Sequence, residues 1–343
     1  MSATLPFDST NHLLEAPAVP QPNIFPMEWR VETPKLADIY EKAKTEGFNP
    51  AKLDWHRLDA NEWSRDERVA MMYWWALLSN FDSSGPAVFA KATIHAFETH
   101  EEDPIRKCFF SITRDEVNHE ECCQRAIQTL VPGGPQGFEP KSELEGVALN
   151  NIGWLYHNGG RYWNGYSRSL GKYPLAVLFT SFMMGEVASS TLFHGMSRAA
   201  RHPVYQQVFS HIGRDEARHL QICITLLEKN WPGLTDEFRT FVSKQLRAGF
   251  VFLSMVLWEP VAKGFWDLPD YFLPNHRVLL DIARKAGLGN LTFDEQAENW
   301  KLAIARVKKL VARWNIEFPA IPELNIEGIE VGEITPDDIV PVF

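Results

Sequence analysis

The chain is poor in cysteine and has no long apolar run. Cys108, Cys122, Cys123 and Cys223 are its four thiols, and none forms a Cys-x-x-Cys pair. So few cysteines, without that spacing, suit free thiols in a reducing compartment better than a disulfide frame. The N-terminal stretch lacks the basic start and apolar core of a secretory signal. The longest apolar stretches, 174–184 and 250–258, fall well short of the roughly 18 residues that a membrane helix takes. There is no Lys/Arg run, and a net charge of −10 argues against nucleic-acid binding. Also missing are a Gly-rich phosphate loop, a Gly-x-Ser-x-Gly elbow and strand–helix alternation, so no flavin or nicotinamide fingerprint is present. The expectation is a cytoplasmic protein with no membrane span and no nucleic-acid partner.

What the chain does have is apolar bulk and one repeated phrase. Of 343 residues 45% are apolar, and 12 Trp and 22 Phe can fill a large core. Arg114 to Cys123 reads RDEVNHEECC, and Arg214 to Cys223 reads RDEARHLQIC. Each copy carries Glu-x-x-His: Glu116/His119 and Glu216/His219. Residues three apart share a helix face, so each copy aims one carboxylate and one imidazole at the same point. That donor pair suits Mn, Fe, Co or Zn and does not suit Ca or Mg. A single Glu-x-x-His is commonplace on exposed helices. Two copies inside the same Arg-Asp-Glu frame point to a metal site.

The periodicity around these phrases is helical. Residues 1–34 are rich in Pro and polar residues and read as an extended arm. A short amphipathic helix is expected from Lys35 to Glu46, stopped by Gly47, and then a loop or broken helix over 49–63. Ser64 with Glu67 has the spacing of a capping box and opens a long helix to about His100, kinked at Gly85-Pro86. Pro104 begins the next helix, which runs to about Leu130. Residues 142–168 are poorly patterned. Further core helices are expected from about Pro174 to Arg198 and from about Pro203 to Lys229. Thr235 caps a helix from Glu237 to about Lys263, and an amphipathic helix spans Thr292 to Trp314. Residues 318–343 are Pro-rich and acidic and read as an extended tail. The domain expected is therefore all-α, over residues 35–317, with an arm at either end.

A four-helix dimetal site takes a further carboxylate from the helix preceding each Glu-x-x-His helix. Glu186 lies 30 residues before Glu216 and is the only acid between Gly171 and Asp215. It sits in an apolar helix, where a lone carboxylate is costly unless paired or metal-bound. In the first pair Asp82 is the only acid between Glu67 and Glu98, and Glu98 is too near the turn. The other role open to Asp82 is capping backbone amides at Ser83–Pro86. Asp115 and Asp215 could each accept the outer N–H of the histidine on the other helix, or pair with Arg114 and Arg214. His95, His194 and His211 read as ordinary core or surface histidines, with a role as an extra ligand the other option. Trp74, Trp75, Phe81, Phe182 and Phe193 are the aromatics placed to line a substrate pocket, if they are not simply core.

The set Asp82, Glu116/His119, Glu186 and Glu216/His219 resembles the ferritin-like di-iron carboxylate superfamily. Within it, the stretch from about Ser79 to Trp258 is similar to the aerobic magnesium-protoporphyrin monomethyl ester cyclases, through Asp82-Ser83-Ser84-Gly85, TRDEVNH and the later DEARH. LADIYEKAKTEGFNPAKLDW, near the N-terminus, is similar to R2-like ligand-binding oxidases. The resemblance covers about half the chain. It implies a ferritin-like four-helix bundle with additional helices, two Fe ions (or Mn/Fe), O₂ as co-substrate, and oxidation of a small organic molecule. Hydroxylation, N-oxygenation, desaturation and oxidative cyclisation all lie within its range. Electrons would come from a ferredoxin or reductase, and a homodimer is compatible with it. The other functions open are a non-enzymatic ferritin-like metal-binding protein and a radical-generating subunit of ribonucleotide reductase. The sequence departs from the second of these, because Cys123 stands one turn after His119 where a redox Tyr is expected, and Cys223 stands in the matching place.

Overall fold

Local signals start and stop most of the helices. The computed structural model describes residues 29–83, 85–169, 175–233, 235–259 and 265–334, without the side-chain surroundings of 162–181, 256 and 257. The arm over 1–28, the last residues of the tail (335–343) and the helix end near Lys263 lie outside it. Among the described residues, ten α-helices follow in order: α1 (Pro34–Glu46), α2 (Arg65–Asp82), α3 (Gly85–Glu98), α4 (Asp103–Leu130), α5 (Glu143–Ser169), α6 (Leu175–Ala199), α7 (Pro203–Asn230), α8 (Asp236–Leu257), α9 (Phe272–Ala286) and α10 (Phe293–Ala312). Ser64 Oγ accepts from Glu67 N and Glu67 Oε2 accepts from Ser64 N, which closes the capping box that starts α2. Thr292 and Glu295 close a second box at α10. Proline in the first turn begins α1, α4 and α7, where its missing N–H costs nothing.

Four expectations change. The long helix from Arg65 is two helices, α2 and α3, because Pro86 cannot continue the ladder of α2. The poorly patterned stretch 142–168 is the 27-residue helix α5. The helix capped by Thr235 ends at Leu257, short of the expected Lys263. Helix α9, absent from the sequence reading, ends at Gly287, which takes φ +94° and donates its N–H to Arg284 O at 3.0 Å.

Helices α2, α4, α6 and α7 form the central layer, and α6 and α7 make the most extensive pair. Outside it, α5 and α9 cover α2, α8 and α10 cover α6, and α1 lies across α4 and α7. Aromatics fill the space between α2 and α7. Trp75 stacks on Phe209 at 5.3 Å between ring centres, and Trp74 meets Phe209 edge-on at 5.5 Å. Each large side chain buried in this way contributes on the order of 2–3 kcal/mol. The start of the C-terminal arm packs down: Phe318, Ala320, Ile321 and Leu324 are buried, and Arg247 of α8 donates to Gly332 O at 2.7 Å and Glu323 Oε1 at 2.8 Å. Among the described residues there is no helix long and apolar enough to cross a membrane.

The link from α9 to α10 passes close under the end of α6. Gly289 has φ +106°, and a Cβ there would lie 2.8 Å from Ala200 N and from Met196 O. Positive φ and backbone crowding together penalise any side chain at this position. Gly289→Ala should lower the unfolding free energy by about 2 kcal/mol or more in a urea titration. A midpoint unchanged from wild type would show that the link is not held there.

Candidate metal centre

The six residues singled out by the sequence lie on the four central helices: Asp82 at the end of α2, Glu116 and His119 on α4, Glu186 on α6, Glu216 and His219 on α7. None is more than 6% exposed, so water is nearly excluded from around all six. The ligand atoms of Glu116, Glu186, Glu216 and His219 lie within 4.8 Å of one another. His119 joins the cluster through its Nδ1, 3.4 Å from Glu216 Oε1 and 3.9 Å from Glu116 Oε2.

The two repeat glutamates each face both histidines. Glu116 puts Oε1 3.3 Å from His219 Nδ1 and Oε2 3.9 Å from His119 Nδ1. Glu216 puts Oε1 3.4 Å from His119 Nδ1 and Oε2 3.8 Å from His219 Nδ1. Glu186 approaches His219 alone, at 3.6 Å. The geometry is that of two central carboxylates between two imidazoles, with a carboxylate further out on the His219 side. Asp82 takes the His119 side, where its charge couples to that imidazole and to Glu116. Its Oδ2 lies 3.7 Å from Cys123 Sγ. Gly85 lets this end close up, since a Cβ there would sit 2.6 Å from Glu116 Oε2.

The outer nitrogens cross over between the repeats. His219 Nε2 meets Asp115 Oδ2 of α4 at 3.4 Å, and His119 Nε2 faces Asp215 Oδ2 of α7 at 3.5 Å. Arg218 was missed in the sequence, and it joins the two aspartates by donating to Asp115 Oδ2 at 2.6 Å and to Asp215 Oδ1 at 2.7 Å. The available signal was the difference between the copies: the residue before His219 is Arg, and the residue before His119 is Asn118. The pairing of Asp115 with Arg114 also holds, at 2.7 Å, while Arg214 is 4.0 Å from Asp215. Both outer arginines also clamp the end of α1. Arg114 donates to Ala43 O at 2.9 Å and Arg214 to Glu46 O at 2.6 Å, which satisfies carbonyls that a helix end leaves open. Ser189 of α6 donates to Glu216 Oε2 at 3.1 Å and was also missed.

Burial sets the proton inventory. It raises Glu216 well above the usual carboxylate range, with Glu186 and Glu116 adding to the shift. Burial works the same way on Glu186, but the hydrogen bond with Glu216 and the charge of His219 outweigh it and hold Glu186 low. Glu216 therefore keeps the proton that the pair shares. Burial also takes Asp82 up to about 8, against the pull of His119. Burial disfavours a charged His219, yet Glu186, Asp115 and Glu116 lift its pKa well above the ordinary value.

This donor set fits metal ions. His119 Nδ1, His219 Nδ1 and Glu186 Oε2 are buried with no hydrogen-bond partner among the described residues. Buried polar atoms normally have partners, and a pair of divalent cations in the cluster would supply them. The remaining candidates fall elsewhere. His194 is exposed and its Nδ1 bonds Ser190 O at 2.6 Å, His211 stacks on Phe48 at 4.6 Å, and His95 is half-buried on α3. Cys123 and Cys223 are buried, and burial holds both thiols far above their usual pKa. Of the pocket aromatics, Trp74 and Trp75 pack on Phe209, Phe182 stacks on Phe89 at 4.4 Å, Phe193 lies 6.1 Å from Phe209, and Phe81 is half-buried beside Gly185.

No family model and no curated protein matches the chain by sequence. Solved structures do match it. A tyrosine-to-phenylalanine variant of R2-like ligand-binding oxidase with an anaerobically reconstituted Mn/Fe cofactor aligns over 83% of this chain and 94% of its own, with a TM-score of 0.55 and 16% identity. R2-like ligand-binding oxidase with an aerobically reconstituted Mn/Fe cofactor aligns over the same shares, with a TM-score of 0.53 and 14% identity. The fold is thus the ferritin-like helical fold, shared with these oxidases.

Two expectations follow. Replacing Arg218 by Met leaves Asp115 and Asp215 buried without their common partner, which should cost about 3–5 kcal/mol. Chemical denaturation would show it, and a loss below 1 kcal/mol would mean that the guanidinium is not what balances them. Metal binding must also expel protons from Glu216, Asp82 and the imidazoles. Adding Fe(II) or Mn(II) at pH 7 in weak buffer should release about two or more protons per chain, followed with an indicator dye. A silent indicator during stoichiometric loading would contradict the protonation pattern.

Proposed function

We propose that the chain is a dimetal oxidase or oxygenase that uses O₂ to oxidise a small organic substrate. The observation that carries this reading is the pair of glutamates, Glu116 and Glu216, each turned to both inner histidine nitrogens. Asp82, His119 and the two central glutamates would hold one ion. Glu186, His219 and the same glutamates would hold the other. Four carboxylates, with a formal charge of −4, match two divalent cations; Fe/Fe and Mn/Fe both suit the oxygen- and imidazole-rich set. When bound, such a pair supplies electrons to O₂ and open coordination positions.

The protein's own work is placement and proton control. Asp115 and Asp215 orient the imidazoles, Asp115 by a hydrogen bond with the outer nitrogen of His219 and Asp215 by facing that of His119 at 3.5 Å. Glu216 and Glu186 share a proton while no metal is bound, and that proton would leave as the ions bind. Burial of all six side chains keeps bulk water away from reactive species. Inserting one oxygen atom into a substrate and reducing the other to water consumes two electrons and two protons beyond those of the substrate. Since the sequence carries no flavin or nicotinamide fingerprint, we assign the electrons to a ferredoxin or reductase. A reducing, cytoplasmic setting suits that supply and the four free thiols. We place the metal-bearing domain at 35–317, with 1–34 and 318–343 as its arms.

The test begins with metal content. Protein made with iron available should carry about two ions per chain, falling sharply in Glu216→Ala. With a reductant present, O₂ uptake should then rise with the correct substrate. Two ions without O₂ consumption under any reductant would leave a ferritin-like metal-binding protein, and indifference of loading to Glu216 would remove the centre itself.

A further inference from the structure

We propose that a small buried cavity beside the metal centre is the seat for the hydroxyl group of a neutral organic ligand, reached past Leu291. The cavity, about 30 Å³ in volume, is bordered by Trp74 and Leu77 of α2, Leu192 of α6, Trp258, Asn290 and Leu291. Its lining includes no charged side chain. Two polar atoms in the lining stand out. Asn290 is 8% exposed, and its Nδ2 donates to Leu280 O at 2.8 Å, which fixes the amide and leaves Oδ1 free of any partner among the described residues. Trp258 Nε1 is likewise buried and unbonded. Buried groups of this kind are costly to leave unmatched.

Among the residues that border this space, Asn290 offers an acceptor and Trp258 a donor, while Gln296 of α10, which also borders it, is already engaged. A hydroxyl both donates and accepts, so it can give its proton to Asn290 Oδ1 and take the indole N–H of Trp258. A volume of this size holds about one or two waters, which is room for the hydroxyl and not for the body of a molecule. One side of the cavity leads toward the surface. Leu291 also borders a surface groove formed by Gly195, Arg198, Asp294, Glu295 and Glu298. Leu291 therefore separates the cavity from solvent, and the apolar part of the ligand would take its place. Three carboxylates against one guanidinium at the groove disfavour an anionic ligand. The ligand class is thus a neutral phenol or alcohol with an apolar body.

This inference rests on the oxidase reading for its purpose, since it names the class of substrate. Trp74 stands eight residues before Asp82 and Leu192 six after Glu186, which places the cavity roughly 9–12 Å along the helices from the ligands.

The test is a titration of the full chain, with and without metal, using phenol as probe and toluene and benzoate as controls, followed by ligand-observed NMR. Phenol should bind at least tenfold more tightly than toluene, and benzoate should fail to displace it. Asn290→Leu should erase the preference for phenol, Trp258→Phe should reduce it while keeping the ring, and Leu291→Trp should abolish binding of both. Equal binding of phenol and toluene, or phenol binding unchanged in all three variants, would overturn the proposal, as would a cavity that holds water only and gives no phenol signal. The readout needs no metal. Phenol binding without metal loading would therefore overturn the oxidase reading alone, and metal loading without phenol binding would overturn the cavity alone.

Discussion

Four carboxylates gathered in a space that water hardly reaches are the constraint on which the rest of this structure depends. Two like charges 4 Å apart repel by about 4 kcal/mol where the effective dielectric is roughly 20, and here several such pairs would coexist. The chain meets the problem in layers. Glu216 and Asp82 hold protons, so not every carboxylate is charged. The inner imidazoles of His119 and His219 face the charge that remains. Asp115 and Asp215 hold those imidazoles from behind, and one buried guanidinium, Arg218, balances the two aspartates in turn. Removing any layer exposes the next to uncompensated burial. Metal ions would replace the protons and leave the outer layers as they stand.

The repeat explains why the arrangement is so nearly symmetric and where it cannot be. Arg, Asp, Glu, His and Cys recur at matching places, so the crossed Asp–His contacts and the clamps on α1 come in pairs. The position before each histidine breaks the pattern. Both aspartates already converge on Arg218, and Asp115 also takes Arg114. Asn118 instead donates to Phe48 O at 3.0 Å, just beyond α1. The outer carboxylates differ as well. Glu186 sits within a continuous helix and reaches its histidine with a long side chain. Asp82 is shorter, lies at a helix end, and has Gly85 close by to let Glu116 approach.

How much of this the sequence revealed follows from where the information is stored. The residues of the cluster were legible because helical spacing and the rarity of acids in apolar helices are local properties: Glu186 and Asp82 are the lone carboxylates in their stretches. The capping box at Ser64 was legible for the same reason. Helix α5 was not, because its text (Asn150, Asn151, Gly153, Asn158, Gly159 and Gly160) has poor intrinsic helix propensity. Its stability comes from contacts that only the fold supplies. A Cβ at Gly159 would collide with Asn80, and Asn151 donates to Phe272 O at 3.1 Å across to α9. Arg218 was hidden for a related reason, since a single arginine in a charged phrase reads as surface until two helices are known to face each other.

The division of labour between layers bears on specificity. Every residue that could touch a metal ion comes from α2, α4, α6 or α7, whose packing is fixed by the charge problem at their centre. The cavity borrows Trp74, Leu77 and Leu192 from two of those helices, but its polar residues lie outside them: Trp258 and Asn290 in the segments that follow α8 and α9, and Gln296 on α10. A bundle of four helices alone would have left that flank of α2 and α6 open to water. The added helices therefore do more than cover apolar surface: they create a closed, sparsely polar space near a buried centre. Among the described residues, Trp74, Trp258 and Asn290 share no hydrogen bond with the charged side chains, so substitutions there would leave the balance of charge in place. On the proposed reading, the chemistry and the choice of substrate would be adjustable separately on one scaffold.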